Sequence, residues 1–240
     1  MLSTGLLSGM RAAAISAVLL AAAVPAAAQR HGLREVRDIG TGGINLVVAV
    51  PMGEFQRNVD VAGGVDVFGA FNLGRGSPVA LRIGGSYLQY GHDSWIVTQP
   101  YYPLAINTTY SIATFGVGPQ LTVGTGPLKL YGFGTFGASY ISARSAYRVD
   151  GCGCETFSSE TDFDDWTAAL QTGGGLLVTL RSGHVPVALD LGARYLRNGE
   201  AWYVSPGDVV PQSNGDVFIY PAYSRADLVM LHVGVSVGIR

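Results

Sequence analysis

The sequence predicts an all-β fold, an eight-stranded antiparallel transmembrane β-barrel of up-and-down topology. Three observations predict it. From residue 42 onward, apolar residues alternate with small or polar ones over long segments. Successive side chains of a strand point to opposite faces, so each segment has one greasy face and one polar face. The connections also alternate in length. Gly74-Arg75-Gly76-Ser77, Gly124-Thr125-Gly126 and Ser182-Gly183-His184 are short, whereas 53–60, 92–108, 148–164 and 199–225 are long and polar. Membrane barrels sort their loops in this way, with short turns at one end and long loops at the other. Finally, only 13% of the 240 residues are charged, against roughly 25% in soluble domains. Yet beyond the N-terminus no apolar run reaches the ~18 residues of a membrane helix.

Residues 1–28 read as a secretory signal. Arg11 supplies the positive start, Ala12 to Val24 the apolar core, and Ala26-Ala27-Ala28 the small-residue cleavage site. Cleavage there makes Gln29 the first mature residue. Residues 29–41 are charged and lack strand periodicity, as a short periplasmic lead would, and 42–240 form the barrel domain.

Eight strand segments follow, at 43–52, 61–73, 78–91, 109–123, 128–147, 165–181, 185–198 and 226–240. The hairpin around Gly124-Thr125-Gly126-Pro127 is the clearest. Its first arm sets Ala113, Phe115, Val117, Leu121 and Val123 against Thr114, Gly116, Gly118 and Gln120. Its second sets Leu128, Leu130, Phe136, Ala138 and Tyr140 against Lys129, Tyr131, Thr135 and Ser139. A strand of about 9–11 residues, tilted by about 45°, crosses a bilayer, and these arms are long enough. Alternation alone does not say which face is inside. The signal segment, the loop parity and the arm length together assign the apolar face to lipid. The 34 glycines, many of them within strands, suit a narrow interior. Tyr87, Tyr90, Tyr140, Trp166, Tyr195 and Trp202 fall near outer strand ends and Phe71 near an inner one, as aromatic girdles do.

Asp66, Arg82, Asp190, Arg194 and His232 lie on the small-residue faces, hence in the lumen. Side chains just fill a barrel of eight strands, and charges buried there must pair. Asp66 and Arg82 lie across one hairpin, a few residues apart in height and within an Arg side chain's reach, while Asp190 and Arg194 need partners on other strands. The expectation is a polar network that fixes register, with a gated pore as the alternative.

Other residues invite chemistry without supporting it. His92-Asp93-Ser94 contains the residue types of a hydrolytic triad, but adjacent residues point apart, and a triad needs mutual hydrogen bonds. The acidic stretch from Asp150 to Asp165 offers oxygen ligands without the Gly and terminal Glu of an EF-hand loop. Cys152 and Cys154 supply too few ligands for zinc. No catalytic residue, metal or cofactor is expected. The net charge of -2 argues against nucleic acid as a partner. The last loop is different. Trp202, Tyr203, Phe218, Tyr220 and Tyr223 make it a candidate binding knob, since aromatic loops on a rigid scaffold suit recognition.

With strands and loops placed, the chain resembles small outer-membrane β-barrels, namely OmpA-like transmembrane domains and OmpX-like proteins. The resemblance covers about 42–240 and rests on Val50-Pro51-Met52-Gly53-Glu54-Phe55, Gly173-Gly174-Gly175, Ala193-Arg194-Tyr195 and the terminal alternating strand. One departure is the end, Ile239-Arg240, where such barrels carry an aromatic residue. The resemblance implies a non-enzymatic integral protein of the outer membrane of a Gram-negative-type bacterium, exported with a cleaved signal peptide. It would be a monomeric structural anchor displaying surface loops, with an adhesion or binding role toward a ligand not yet assigned. Its implied partners are outer-membrane lipid, lipopolysaccharide and the barrel-assembly machinery. A narrow diffusion channel and a lipid A-modifying enzyme are the alternatives.

Overall fold

The structure, a computed structural model, describes residues 39–74, 77–98, 103–124, 126–149, 158–183, 185–211 and 217–239. The signal segment, most of the N-terminal lead, Cys152, Cys154 and 150–157 of the acidic stretch lie outside the described residues. The barrel falls within the compact unit Arg37–Arg240.

Its wall comprises β1 (Gly40–Pro51), β2 (Ala62–Asn72), β3 (Val79–Thr98), β4 (Pro103–Val123), β5 (Leu128–Val149), β6 (Ser158–Arg181) and β7 (Val187–Asn198). The last loop contributes β8 (Glu200–Tyr203), β9 (Val209–Pro211), β10 (Val217–Ile219) and β11 (Ala222–Arg225), and β12 (Leu228–Ile239) completes the wall. The hydrogen-bonded order β1-β12-β7-β6-β5-β4-β3-β2 closes on itself. At the seam β1 and β12 run antiparallel, from Gly40 opposite Ile239 to Pro51 opposite Leu228. Closure leaves no unpaired edge along the shared length of the wall. The tight turn between β4 and β5 depends on glycine, because Gly124 and Gly126 have φ of +116° and +83°, where side chains are strained.

Two differences from the sequence expectation shape the molecule. First, β3, β4, β5 and β6 contain 20, 21, 22 and 24 residues, against 12 in β1, β7 and β12. Much of 92–108 and 148–164, expected as loop, is paired strand: Ser94 faces Asn107, and Ala146 faces Ser159. β-Branched residues such as Ile106, Thr108 and Thr109 favour strand. They hide from a search for lipid-facing alternation because this end carries polar side chains on both faces. About 9–11 residues cross the hydrocarbon, so roughly half of each of β4, β5 and β6 stands beyond it. Second, the last loop is folded. Hairpin β8/β11 pairs Trp202 with Tyr223, and hairpin β9/β10 pairs Val210 with Phe218. The 53–60 connection also holds a short 3-10 turn, Phe55–Arg57.

Candidate functional site

The polarity of the wall is inverted relative to a soluble barrel. Ile44, Leu46, Val67, Phe115, Phe136 and Leu231 are exposed on the outside. Asn45, Asp66, Arg82, Asp190, Arg194 and His232 are buried inside. Soluble proteins rarely expose an apolar patch beyond a few hundred Å². Here the apolar surface encircles the wall, and only lipid solvates such a band favourably. The chain is a small eight-stranded transmembrane β-barrel.

No protein-family model and no curated protein matches the chain. Among solved structures it is similar to Neisserial surface protein A, at 14% identity and a TM-score of 0.42, covering 83% of this chain and 97% of that one. It is also similar to Ail, the attachment invasion locus protein of Yersinia pestis, at 13% identity and a TM-score of 0.38, covering 82% and 97%. A major outer membrane protein of Thermus thermophilus matches at 11% identity and a TM-score of 0.38, covering 81% and 98%. At such values these likenesses add nothing to what the hydrogen-bonded topology of the barrel establishes.

The lumen of the barrel is filled by two polar clusters. Asp66 is the hub of the first. Arg194 Nη1 donates to its Oδ1 at 2.6 Å, and Asn45 Nδ2 donates to its Oδ2 at 3.0 Å. Arg82, the partner expected across the hairpin, approaches Asp66 only to 4.0 Å. Its Nη1 donates to Gln120 Oε1 at 2.9 Å, and its guanidinium lies 3.8 and 4.3 Å from the ring centroids of Phe68 and Phe133. The closest pair therefore joins β2 to β7 across the lumen, and Arg82 is held by an amide and two aromatic faces.

In the second cluster the Tyr131 hydroxyl donates to Asp190 Oδ1 at 2.7 Å and lies 2.8 Å from His232 Nε2. A hydroxyl has one proton, so with that proton directed at Asp190 its oxygen accepts from His232 Nε2–H, which places a ring proton on Nε2. Glycines make the room. A Cβ on Gly192 would lie 2.6 Å from the His232 ring, and one on Gly175 would lie 2.7 Å from the Tyr131 hydroxyl. Beside the first cluster, Asp66, Arg82, Phe133, Thr135, Gln171 and Arg194 line a void of about 10 Å³, room for about one water. All five luminal residues expected from the sequence thus lie in the lumen. Asn45 and Tyr131 were missed as members of the network. Their inward parity was readable in the sequence, but their partners were not.

The mouth at the long-loop end is closed by packing. Phe55, from the 3-10 turn, sits edge-on to Tyr90 and Tyr203 with ring centroids 5.6 and 4.9 Å away. Tyr90 donates to the Val204 carbonyl at 2.8 Å, and Asn58 Nδ2 donates to the Tyr203 hydroxyl at 3.0 Å. Two expectations are corrected here. Tyr203 is 1% exposed and belongs to this plug, not to a surface knob, and Tyr90 points inward, not into the girdle. In both cases strand parity decides, since each neighbour, Trp202 or Gln89, takes the outward direction. Asp93 is likewise structural. Its Oδ2 accepts from the Tyr110 hydroxyl at 3.0 Å and from the Gly207 N–H at 2.8 Å. It thereby ties the last loop to β3.

The other predicted loop aromatics are exposed: Trp202, Phe218, Tyr220 and Tyr223. Trp202 and Tyr223 pack together at 4.9 Å, and Tyr140 and Trp166 do so at 4.8 Å. Asp165 pins hairpin β8/β11 to β6 by accepting from the backbone N–H groups of Trp166 and Trp202 at 2.8 and 2.9 Å.

Proposed function

We propose that this is a non-enzymatic outer-membrane protein of a Gram-negative-type bacterium. In this reading it is exported with a cleaved signal and inserted by the barrel-assembly machinery as a monomer among outer-membrane lipid and lipopolysaccharide. Its role is that of an anchor, a rigid stalk presenting the extended β3–β6 sheet and the folded last loop outside the cell. The observation that carries this is the filled interior. A wall whose lumen is packed with side chains and capped by Phe55, Tyr90 and Tyr203 is built to hold a shape. Phe218 in hairpin β9/β10, Tyr220 just after it, and Trp202 and Tyr223 in hairpin β8/β11 are exposed and supply apolar contact area for adhesion or binding.

Surface display is tested by labelling. Tyr220→Cys, made with Cys152 and Cys154 replaced by Ser, should react with a membrane-impermeant maleimide on intact cells. Reaction only after permeabilisation would invert the topology and remove the display role. The second reading, a narrow channel, is tested in planar bilayers. The filled lumen predicts no discrete conductance steps. Steady single-channel steps that vanish on heat denaturation would replace the anchor with a channel.

A further inference from the structure

Four aromatic side chains form one row across neighbouring strands at the long-loop end. Tyr140 of β5 faces Trp166 of β6, and Trp202 of β8 faces Tyr223 of β11. Strand β8 runs beside β6. The Gly199 N–H donates to the Ala168 carbonyl at 2.8 Å, and Asp165 accepts from the N–H groups of both Trp166 and Trp202. The two ring pairs are therefore neighbours, and Trp166, Trp202 and Tyr223 are 64, 47 and 52% exposed. From Leu180 to Trp166, β6 climbs about 35 Å, at about 3.3 Å per residue and a tilt of about 40°. A lipid-facing apolar band is only about 25 Å tall, so Trp166 stands clear of it.

The charge of the wall is split between its two ends. Among the described residues, 54–60, 93–98, 142–149, 158–168, 197–211 and 217–227 hold ten carboxylates against five arginines and no lysine. The exposed arginines are Arg57, Arg144, Arg197 and Arg225, and the acid excess remains with all of them counted. The short-turn end holds Lys129 and Arg181 and no carboxylate among the described residues. Beside the aromatic row, Asp164 lies two residues beyond Trp166, and Glu200 lies two before Trp202. Asp165 joins the ring pairs. Arg225, opposite Glu200, is the basic partner next to the row, while Arg144 and Arg197 stand four residues off it, beyond Tyr140 and below Trp166.

We infer that this aromatic face docks a cationic polypeptide segment, whose arginine and lysine side chains lie over the rings with their heads on the flanking carboxylates. Cations are drawn to the faces of Trp and Tyr rings. An acidic surround speeds encounter with a basic partner and disfavours an acidic one. The same charge turns away phosphate-bearing or sulfate-bearing polymers, and also a second copy of this end. Strands about 4.8 Å apart make the row about 14 Å long, the reach of about four residues of extended chain. That exceeds any single small cation. The docking rests on the reading that the long-loop end is displayed outside the cell.

The test uses the full barrel in phosphatidylcholine nanodiscs, which add no net charge. It is titrated at low salt with a fluorescent peptide of alternating arginine and serine, and with the glutamate–serine peptide of the same length. Fluorescence polarisation reads the binding. The arginine peptide should bind at least about tenfold more tightly than the glutamate peptide. Trp166→Leu/Trp202→Leu keeps apolar bulk but removes two ring faces, and should weaken binding about tenfold. Asp164→Asn/Glu200→Gln should also weaken it and flatten its salt dependence. Equal binding of the two peptides overturns the docking. Unchanged binding in the leucine variant does so too, since charge attraction alone would then hold the peptide. Displacement by millimolar magnesium at constant ionic strength would assign the carboxylates to a divalent cation instead. Heat-dependent gel migration reports on the barrel in each sample. A folded barrel indifferent to both peptides defeats the docking alone. Labelling of Tyr220→Cys only after permeabilisation defeats the display reading, and the docking with it.

Discussion

Asp66→Ala should lower the unfolding free energy by about 3–5 kcal/mol, the usual cost of removing one partner from a buried ionic cluster. The loss has a specific origin. Asp66 takes a 2.6 Å bond from Arg194 and a 3.0 Å bond from Asn45, with Arg82 4.0 Å away. Without the carboxylate, two guanidiniums share the buried lumen with no acid in their own cluster. Urea titration in vesicles, followed by heat-dependent gel migration, measures the change. Added salt should not rescue the variant, because ions do not screen charges buried this deeply. A loss below about 1 kcal/mol would show that the cluster is not an energetic unit. Asp66→Asn, which keeps an acceptor oxygen for Arg194, should cost less.

Leu191→Arg should cost about 2–4 kcal/mol. Leu191 lies midway along β7, between Val233 of β12 and Leu176 of β6, with its side chain on the outer face. An arginine there must reach a headgroup or drag water into hydrocarbon. Ala188→Ser makes the control, since Ala188 packs inward against the cluster of Tyr131, Phe133 and Leu177. It should cost under about 1 kcal/mol, because a hydroxyl finds polar company near a polar lumen. The same urea assay serves both variants. An equal loss at the two positions, or the reverse order, would mean that the two faces of β7 have been exchanged.

The wall was legible in the sequence because alternation and loop parity are local signals. Val233 and Val235 facing out, and His232 and Ser236 facing in, need no knowledge of the rest of the chain. Parity likewise placed Asp66, Arg82, Asp190 and Arg194 inside. Their partners were a harder matter. Counting back from the Gly74–Ser77 turn brings Arg82 near Asp66, but the tighter partner, Arg194, arrives from a strand that is 128 residues away in sequence. Tilt and stagger of the closed sheet set that height, and no single hairpin contains the information. The outer end was misread for another reason. Away from lipid the apolar alternation fades, so the paired extensions of β3–β6 resemble loops. By sequence Tyr203 reads as a surface aromatic, because the hairpin that turns it inward lies within a long connection.

The seam between β1 and β12 also has a consequence in time. Every other wall contact joins strands that are neighbours in sequence or flank the last loop, whereas Gly40 meets Ile239 only once both ends of the wall exist. Until then the sheet is an open ribbon with two bare edges, able to pair with other chains. Sealing is the wall contact of greatest sequence separation, and its loop-closure entropy falls on one strand pair. Assembly of this wall is a race between its own last strand and any foreign one.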